Sequence, residues 1–151
     1  STFGLAARSA PEYAVFANAA AIRNMDFSDT YLGASGGGGH PSDMTAAIVA
    51  AVELAGGGGR ELLLGLHIAY EIYGMIADAV HLREKGIDQG VFVSVGASAA
   101  CARIFGLNQA GIANALAMAL TPATPGRVTR VRDAHPSTPC YEGEGHPYRR
   151  V

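Results

Sequence analysis

Val91-Phe92-Val93-Ser94-Val95-Gly96-Ala97-Ser98-Ala99-Ala100-Cys101-Ala102 is the stretch on which the fold class turns. Four of its first five residues are valine or phenylalanine, types that suit a strand, so this piece by itself could be one. The Ala-Ser-Ala-Ala-Cys-Ala run that follows suits a helix, because alanine loses the least on entering one. A strand reading would give a mixed fold. Helix is the reading adopted, over about Val91 to Phe105 with Gly106 closing it, and it makes the chain all-α.

Working outward, Leu62, Leu66, Ala69, Tyr73, Ile76 and Val80 recur at helical spacing after Arg60-Glu61. This third helix is apolar nearly all round, as expected of a central helix. Gly86 ends it, with Arg83 and Lys85 near its negative end. The second helix starts at Pro41-Ser42-Asp43 and runs through Met44, Ile48, Ala51 and Val52 to the glycines 56–59. The first starts near Ser9-Ala10-Pro11-Glu12, with Ser9 as cap, and ends before Asp26. Asn108 caps the fifth, which runs to Leu120.

The 151 residues are one domain's worth, 49% of them hydrophobic and only 7% aromatic. That excludes a disordered chain and favours close packing through small side chains. A net charge of −2 gives no reason to expect nucleic acid or an anionic membrane. No apolar run reads as a bilayer span, since His67, Glu71 and Asp78 interrupt the longest. No basic, apolar leader opens the chain, and two cysteines make no disulfide framework, so a cytoplasmic location is expected. Cys101 reads as a small buried hydrophobe. The missing initial Met suggests a processed or incomplete chain.

After Leu120 the composition changes. Residues 121–151 hold five of the seven prolines, five arginines and three acids, with no apolar periodicity. The expected division is a helical domain at 1–122 and an irregular tail at 123–151. Arg127, Arg130, Arg132 and Arg149 read as a solvated basic tail, and His135 and His146 receive no role.

The chemistry-bearing segment is Asp26-Phe27-Ser28-Asp29-Thr30-Tyr31, then Gly36-Gly37-Gly38-Gly39-His40-Pro41-Ser42-Asp43. If the first helix extended through them, Asp26 and Asp29 would share a face. His40 precedes a helix whose free N–H groups welcome an anion such as a carboxylate. A carboxylate, a histidine and a helix N-terminus are the parts needed to remove a proton beside a carboxylate and hold the resulting anion. The plainer alternative is that Asp29 and Ser42 only cap helices and the glycines form a loop. No Gly-Lys-Ser/Thr follows them, so this is not a phosphate loop, and no strand precedes them as a dinucleotide site requires. Asp26, Asp29 and His40 lack the tight spacing of a metal set. His67 reads as a core or interface residue, His81 as a helix-end residue, and Tyr70, Glu71 and Tyr73 as packing or interface residues.

Met25-Asp26-Phe27-Ser28-Asp29-Thr30-Tyr31-Leu32 and Gly39-His40-Pro41-Ser42-Asp43 resemble the MmgE/PrpD family. The likeness continues through Gly59-Arg60-Glu61-Leu62-Leu63, Ala69-Tyr70-Glu71, Gly86-Ile87-Asp88-Gln89-Gly90 and Ile112-Ala113-Asn114-Ala115-Leu116-Ala117 to Leu120-Thr121-Pro122. The resemblance implies an all-α domain that is usually dimeric, with a second α+β lid domain closing over the site. It implies a metal-free, cofactor-free hydro-lyase acting on a small polycarboxylate such as 2-methylcitrate. The implied catalytic residues are Asp26, Thr30 and His40, and Asp29, Ser42 and Gln89 are expected to bind substrate. Implied partners are a second copy of the chain or a lid-bearing chain, with no nucleic acid and no membrane.

Two departures stand out. The family pattern has a histidine at or near Gln89, and glutamine can hydrogen-bond a carboxylate but cannot exchange a proton. Thr138-Pro139-Cys140-Tyr141-Glu142-Gly143-Glu144-Gly145 resembles an element found much further along in the family. The lid and its lysines are therefore expected to be missing through a loss or a natural shortening. The alternative function is a catalytically inactive, shortened relative serving as a helical dimerisation or binding module.

Overall fold

The structure is a computed structural model; it describes residues 1–5, 8–34 and 37–121, with the side chain of Arg83 left out. Among the described residues five helices carry the fold: α1 (Pro11–Arg23), α2 (Thr45–Ala55), α3 (Gly59–Ala79), α4 (Gly90–Ile104) and α5 (Gln109–Leu120). A two-stranded antiparallel hairpin, β1 (Tyr31–Leu32) and β2 (Gly38–Gly39), follows α1, with Tyr31 opposite Gly39. Short 3₁₀ turns occupy Pro41–Met44 and Arg83–Lys85. The all-α class holds, and the hairpin is a small addition to it.

The decisive stretch is helical because of what surrounds it. α4 packs on α3, α2 and α5. It buries Val91, Phe92, Val95, Gly96, Ala99, Ala100 and Ala102. A Cβ on Gly96 would lie 2.5 Å from the Met44 sulfur and 2.9 Å from the Ala69 carbonyl oxygen. Only a helix with a bare glycine there lets α3 come so close. Met44, Ile48, Ala69, Tyr73, Ala77, Phe92 and Ala100 form the core. The Tyr73 ring meets Phe92 and Tyr31 edge-on, at centroid distances of 5.4 and 6.1 Å.

Several boundaries differ from expectation. Ala10, not Ser9, occupies the N-cap of α1 and makes no side-chain cap. α2 starts only at Thr45, because Pro41–Met44 winds more tightly as a 3₁₀ turn. Gly56 ends α2 in the left-handed region at φ +68°. The Glu61 carboxylate accepts the Gly58 N–H at 2.8 Å and so fixes the start of α3. α3 ends at Ala79 because Val80 is extended; Arg83–Lys85 form a separate turn and do not continue the helix to Gly86. Asp26 and Asp29 share no helix face, since α1 stops at Arg23 and Asp26 sits at φ +48°.

α3 spans 21 residues and is by length and composition apolar enough to cross a membrane, despite His67, Glu71 and Asp78. Here its Gly65, Ala69, Tyr73, Gly74 and Ala77 are buried in the helical core. Asp78 anchors the hairpin, accepting the Tyr31 hydroxyl at 2.9 Å and the Ala34 N–H at 2.8 Å. Cys101 is partly buried, and burial pushes its thiol pKa up. The expectations for the tail, including its arginines, histidines, Cys140 and residues 138–145, fall outside the described residues.

Candidate active site

The site forms where three pieces converge: the end of α1, the hairpin, and the 3₁₀ turn before α2. Arg23, the last residue of α1, reaches three acceptors. Its NH2 lies 3.0 Å from Asp26 Oδ1, its Nε 3.5 Å from Asp43 Oδ1, and its NH1 donates to Ser28 Oγ at 3.3 Å. The hairpin then returns the chain so that His40 stands against the same turn.

His40 Nδ1 lies 2.5 Å from the Asp29 carbonyl oxygen and 3.4 Å from Ser28 Oγ. A carbonyl oxygen only accepts, so Nδ1 carries the hydrogen. In the neutral ring, the lone pair is then on Nε2, which makes Nε2 the basic atom. The Asp29 side chain works separately from its backbone. Its carboxylate accepts the Ser42 N–H at 3.1 and 3.2 Å and the Tyr70 hydroxyl at 2.9 Å. Burial and this carboxylate push the Tyr70 pKa up to about 12. The Ser42 N–H expected to welcome a substrate anion is therefore already taken by Asp29, and an incoming carboxylate would have to compete for it.

Asp43 is three-quarters buried at its side chain. Burial raises its pKa, partly opposed by Arg23 and His40, while Asp29 and Asp26 push it further up. Its Oδ1 faces the Arg23 charge without hydrogen-bond geometry, so among the described residues that oxygen has no hydrogen-bond partner. Ser42 Oγ and the Tyr73 hydroxyl are also buried and unpartnered among them. Burial holds the Tyr73 pKa well above the ordinary phenol range, with Asp43, Asp29 and Asp88 adding to the effect. A Cβ on Gly39 would lie 2.8 Å from both the Tyr73 hydroxyl and Gln89 Nε2. Glycine is needed at 39 for these two side chains to reach under the loop that carries His40.

The structure thus brings Asp29, His40 and Ser42 into one hydrogen-bonded group. It links Asp26 to that group through Arg23 and Ser28, and sets Gln89 beneath Gly39. Thr30 is exposed. Sequence reading assigned no role to Arg23 or Asp43, and took Tyr70 and Tyr73 for packing or interface residues. Two signals were present: Arg23 precedes Asp26 by three residues, an ion-pair spacing, and Tyr70 and Tyr73 share a face of one helix. No group of three or more His, Cys, Asp or Glu residues among the described ones is placed to hold a metal ion. A separate groove of about 480 Å³ lies between the C-terminal end of α4 and α5, lined mainly by apolar side chains such as Leu107, Ile112 and Leu116. It holds no acid–base pair.

The sequence matches the MmgE/PrpD N-terminal domain over residues 1–145. It is 34% identical over 119 residues to 2-methylcitrate dehydratase of Escherichia coli O157:H7, covering 72% of this chain and 24% of that protein. Identity and coverage are the same with 2-methylcitrate dehydratase of Cupriavidus necator. The cis-aconitate decarboxylase of Mus musculus is 30% identical over 125 residues, covering 77% of this chain and 25% of that protein. The chain spans about a quarter of the length of these curated relatives. With its helical architecture and the Asp26–Asp43 segment folded into one site, the chain belongs to the MmgE/PrpD family.

Proposed function

We propose that this chain supplies the acid–base half of a lyase site, of the hydro-lyase type, acting on a small polycarboxylate such as 2-methylcitrate. The observation that carries the reading is the 2.5 Å contact of His40 Nδ1 with the Asp29 carbonyl, which leaves Nε2 as the base. Nε2 takes a proton from the carbon beside a substrate carboxylate, the C–O bond to the β-hydroxyl breaks, and a double bond forms. The departing hydroxyl leaves as water with a proton from a nearby acid. Asp26 stabilises the charged imidazolium, Thr30 and Gln89 offer hydrogen bonds to substrate oxygens, and the Ser42 N–H does so once a substrate carboxylate displaces Asp29 from it. The relatives' printed activities support the reaction class.

The test is turnover of 2-methylcitrate and cis-aconitate, followed at the ultraviolet absorbance of the unsaturated acid. His40→Gln should fold normally and lose at least about 100-fold in turnover, the lower end of what a positioned base contributes. Turnover retained in that variant would end the assignment.

A second reading is favoured by a specific observation. Phe27 is 97% exposed, Leu32 83% and Phe16 76%, and two of these flank the acidic residues of the site. Apolar side chains so placed suit a binding surface. On this reading the folded chain turns over neither acid and acts as a helical dimerisation or docking module, with a second copy or another chain covering the site.

A further inference from the structure

We propose that Arg23 is a positioning residue of this site: through Asp26, Asp43 and Ser28 together it fixes the turn that presents Ser28 and the Asp29 carbonyl to His40 Nδ1. The proposal rests on the acid–base reading of His40. Three observations carry it. The three Arg23 contacts use three different nitrogens, at 3.0, 3.3 and 3.5 Å, and go to two separate segments of the chain. A planar guanidinium can serve such divergent acceptors at once, whereas an ammonium on a flexible stem is a point charge. The turn being held is strained, since Asp26 is a non-glycine residue at φ +48°. Such a conformation is unfavourable for a residue with a side chain, less so for Asp than for most, and surrounding contacts help to hold it. Finally, the Ser28 hydroxyl that receives Arg23 is the one lying 3.4 Å from His40 Nδ1.

The same arginine is the larger of the two positive influences, ahead of His40, that oppose burial at Asp43. The charges facing Asp43 are Arg23, His40, Asp29 and Asp26. Arg23 thus influences a buried carboxyl on one side and the orientation of the base on the other.

The test uses the full chain, with Arg23→Gln and Arg23→Lys. Folding is checked by far-ultraviolet circular dichroism. The His40 ring nitrogens are followed by ¹H–¹⁵N spectra above the ordinary histidine range, assigned through His40→Gln, and Asp43 is followed by its ¹³C carboxyl titration. In the unaltered chain the ring should show one tautomer, with hydrogen on Nδ1. Arg23→Gln should convert that signal to a mixture of tautomers and raise the Asp43 midpoint by about one pH unit. Arg23→Lys should keep the Asp43 midpoint near its original value yet still lose the single tautomer. An unchanged His40 signal in folded variants overturns the proposal. So does a moved Asp43 midpoint with an unmoved His40 signal, because Arg23 would then be a charge partner only. If Arg23→Gln fails to fold, the lysine variant decides alone. None of these signals needs turnover, so failure of the acid–base reading would show separately, in the His40→Gln assay.

Discussion

Asp43 carries two opposed demands. It sits in the most recognisable motif of the chain, one residue after the Ser42 amide that Asp29 caps. Yet burial holds its carboxyl above the ordinary range despite the Arg23 guanidinium at 3.5 Å. The folded chain therefore binds this proton more tightly than the unfolded chain does. The stabilisation from that preference is complete below the ordinary carboxyl value of 3.8 and is lost as pH rises through the higher folded value. An amide never ionises. Asp43→Asn should thus resist urea better than the unaltered chain at pH 7, and the difference should shrink as the pH is lowered towards 4. Equal midpoints at both pH values would mean that burial does not govern this carboxyl. The residue-level site was legible in part. Motif residues announced Asp26, Asp29 and His40, but no local pattern says that Arg23 ties Asp26 to Asp43, or that Tyr70 closes on Asp29 from 41 positions away.

At the level of elements, helix pairs meet through small residues, and their fit is the main determinant of the fold. Gly96 is the tightest example, with Met44 and Ala69 across from it. Gly96→Val would drive a side chain into a sulfur and a backbone carbonyl, and the carbonyl cannot swing aside. The expected loss is about 1–3 kcal/mol, the range for overpacking a close-packed core, read from chemical unfolding. A wild-type midpoint would place α3 and α4 further apart than described. The five helices were readable because alanine-rich segments with 3.6-residue spacing and glycine or proline boundaries leave few alternatives. The hairpin was not. Two residues per strand, one strand being Gly38-Gly39, show no alternation, and its pairing depends on Asp78 holding Tyr31 and Ala34 from α3. The early end of α3 was hidden for a similar reason. Val80 fits the helical face by spacing, but its extended backbone lets the next segment turn back, with Leu82 accepting the N–H groups of Lys85 and Ile87.

At the level of the whole molecule, charge sets a constraint on the proposed substrate. The described site gathers three carboxylates, Asp26, Asp29 and Asp43, around one guanidinium. A tricarboxylate approaching this face meets net repulsion whenever His40 is neutral. Exposed charges interact through water and salt, and the screening length is about 10 Å at 0.1 M ionic strength. Added salt normally weakens binding of an anion to a basic site. Here, screening relieves repulsion, so raising the salt from low to moderate ionic strength should strengthen binding of citrate, used as a stable tricarboxylate probe. For the same reason Asp26→Asn should tighten it, since that side chain is 73% exposed and its charge faces solvent. Isothermal titration of the chain at two ionic strengths decides the matter. Weaker citrate binding in higher salt would mean that cations outside the described residues dominate the site. The acidic face described here would then be only the base-bearing half of a surface whose anion-binding groups lie elsewhere.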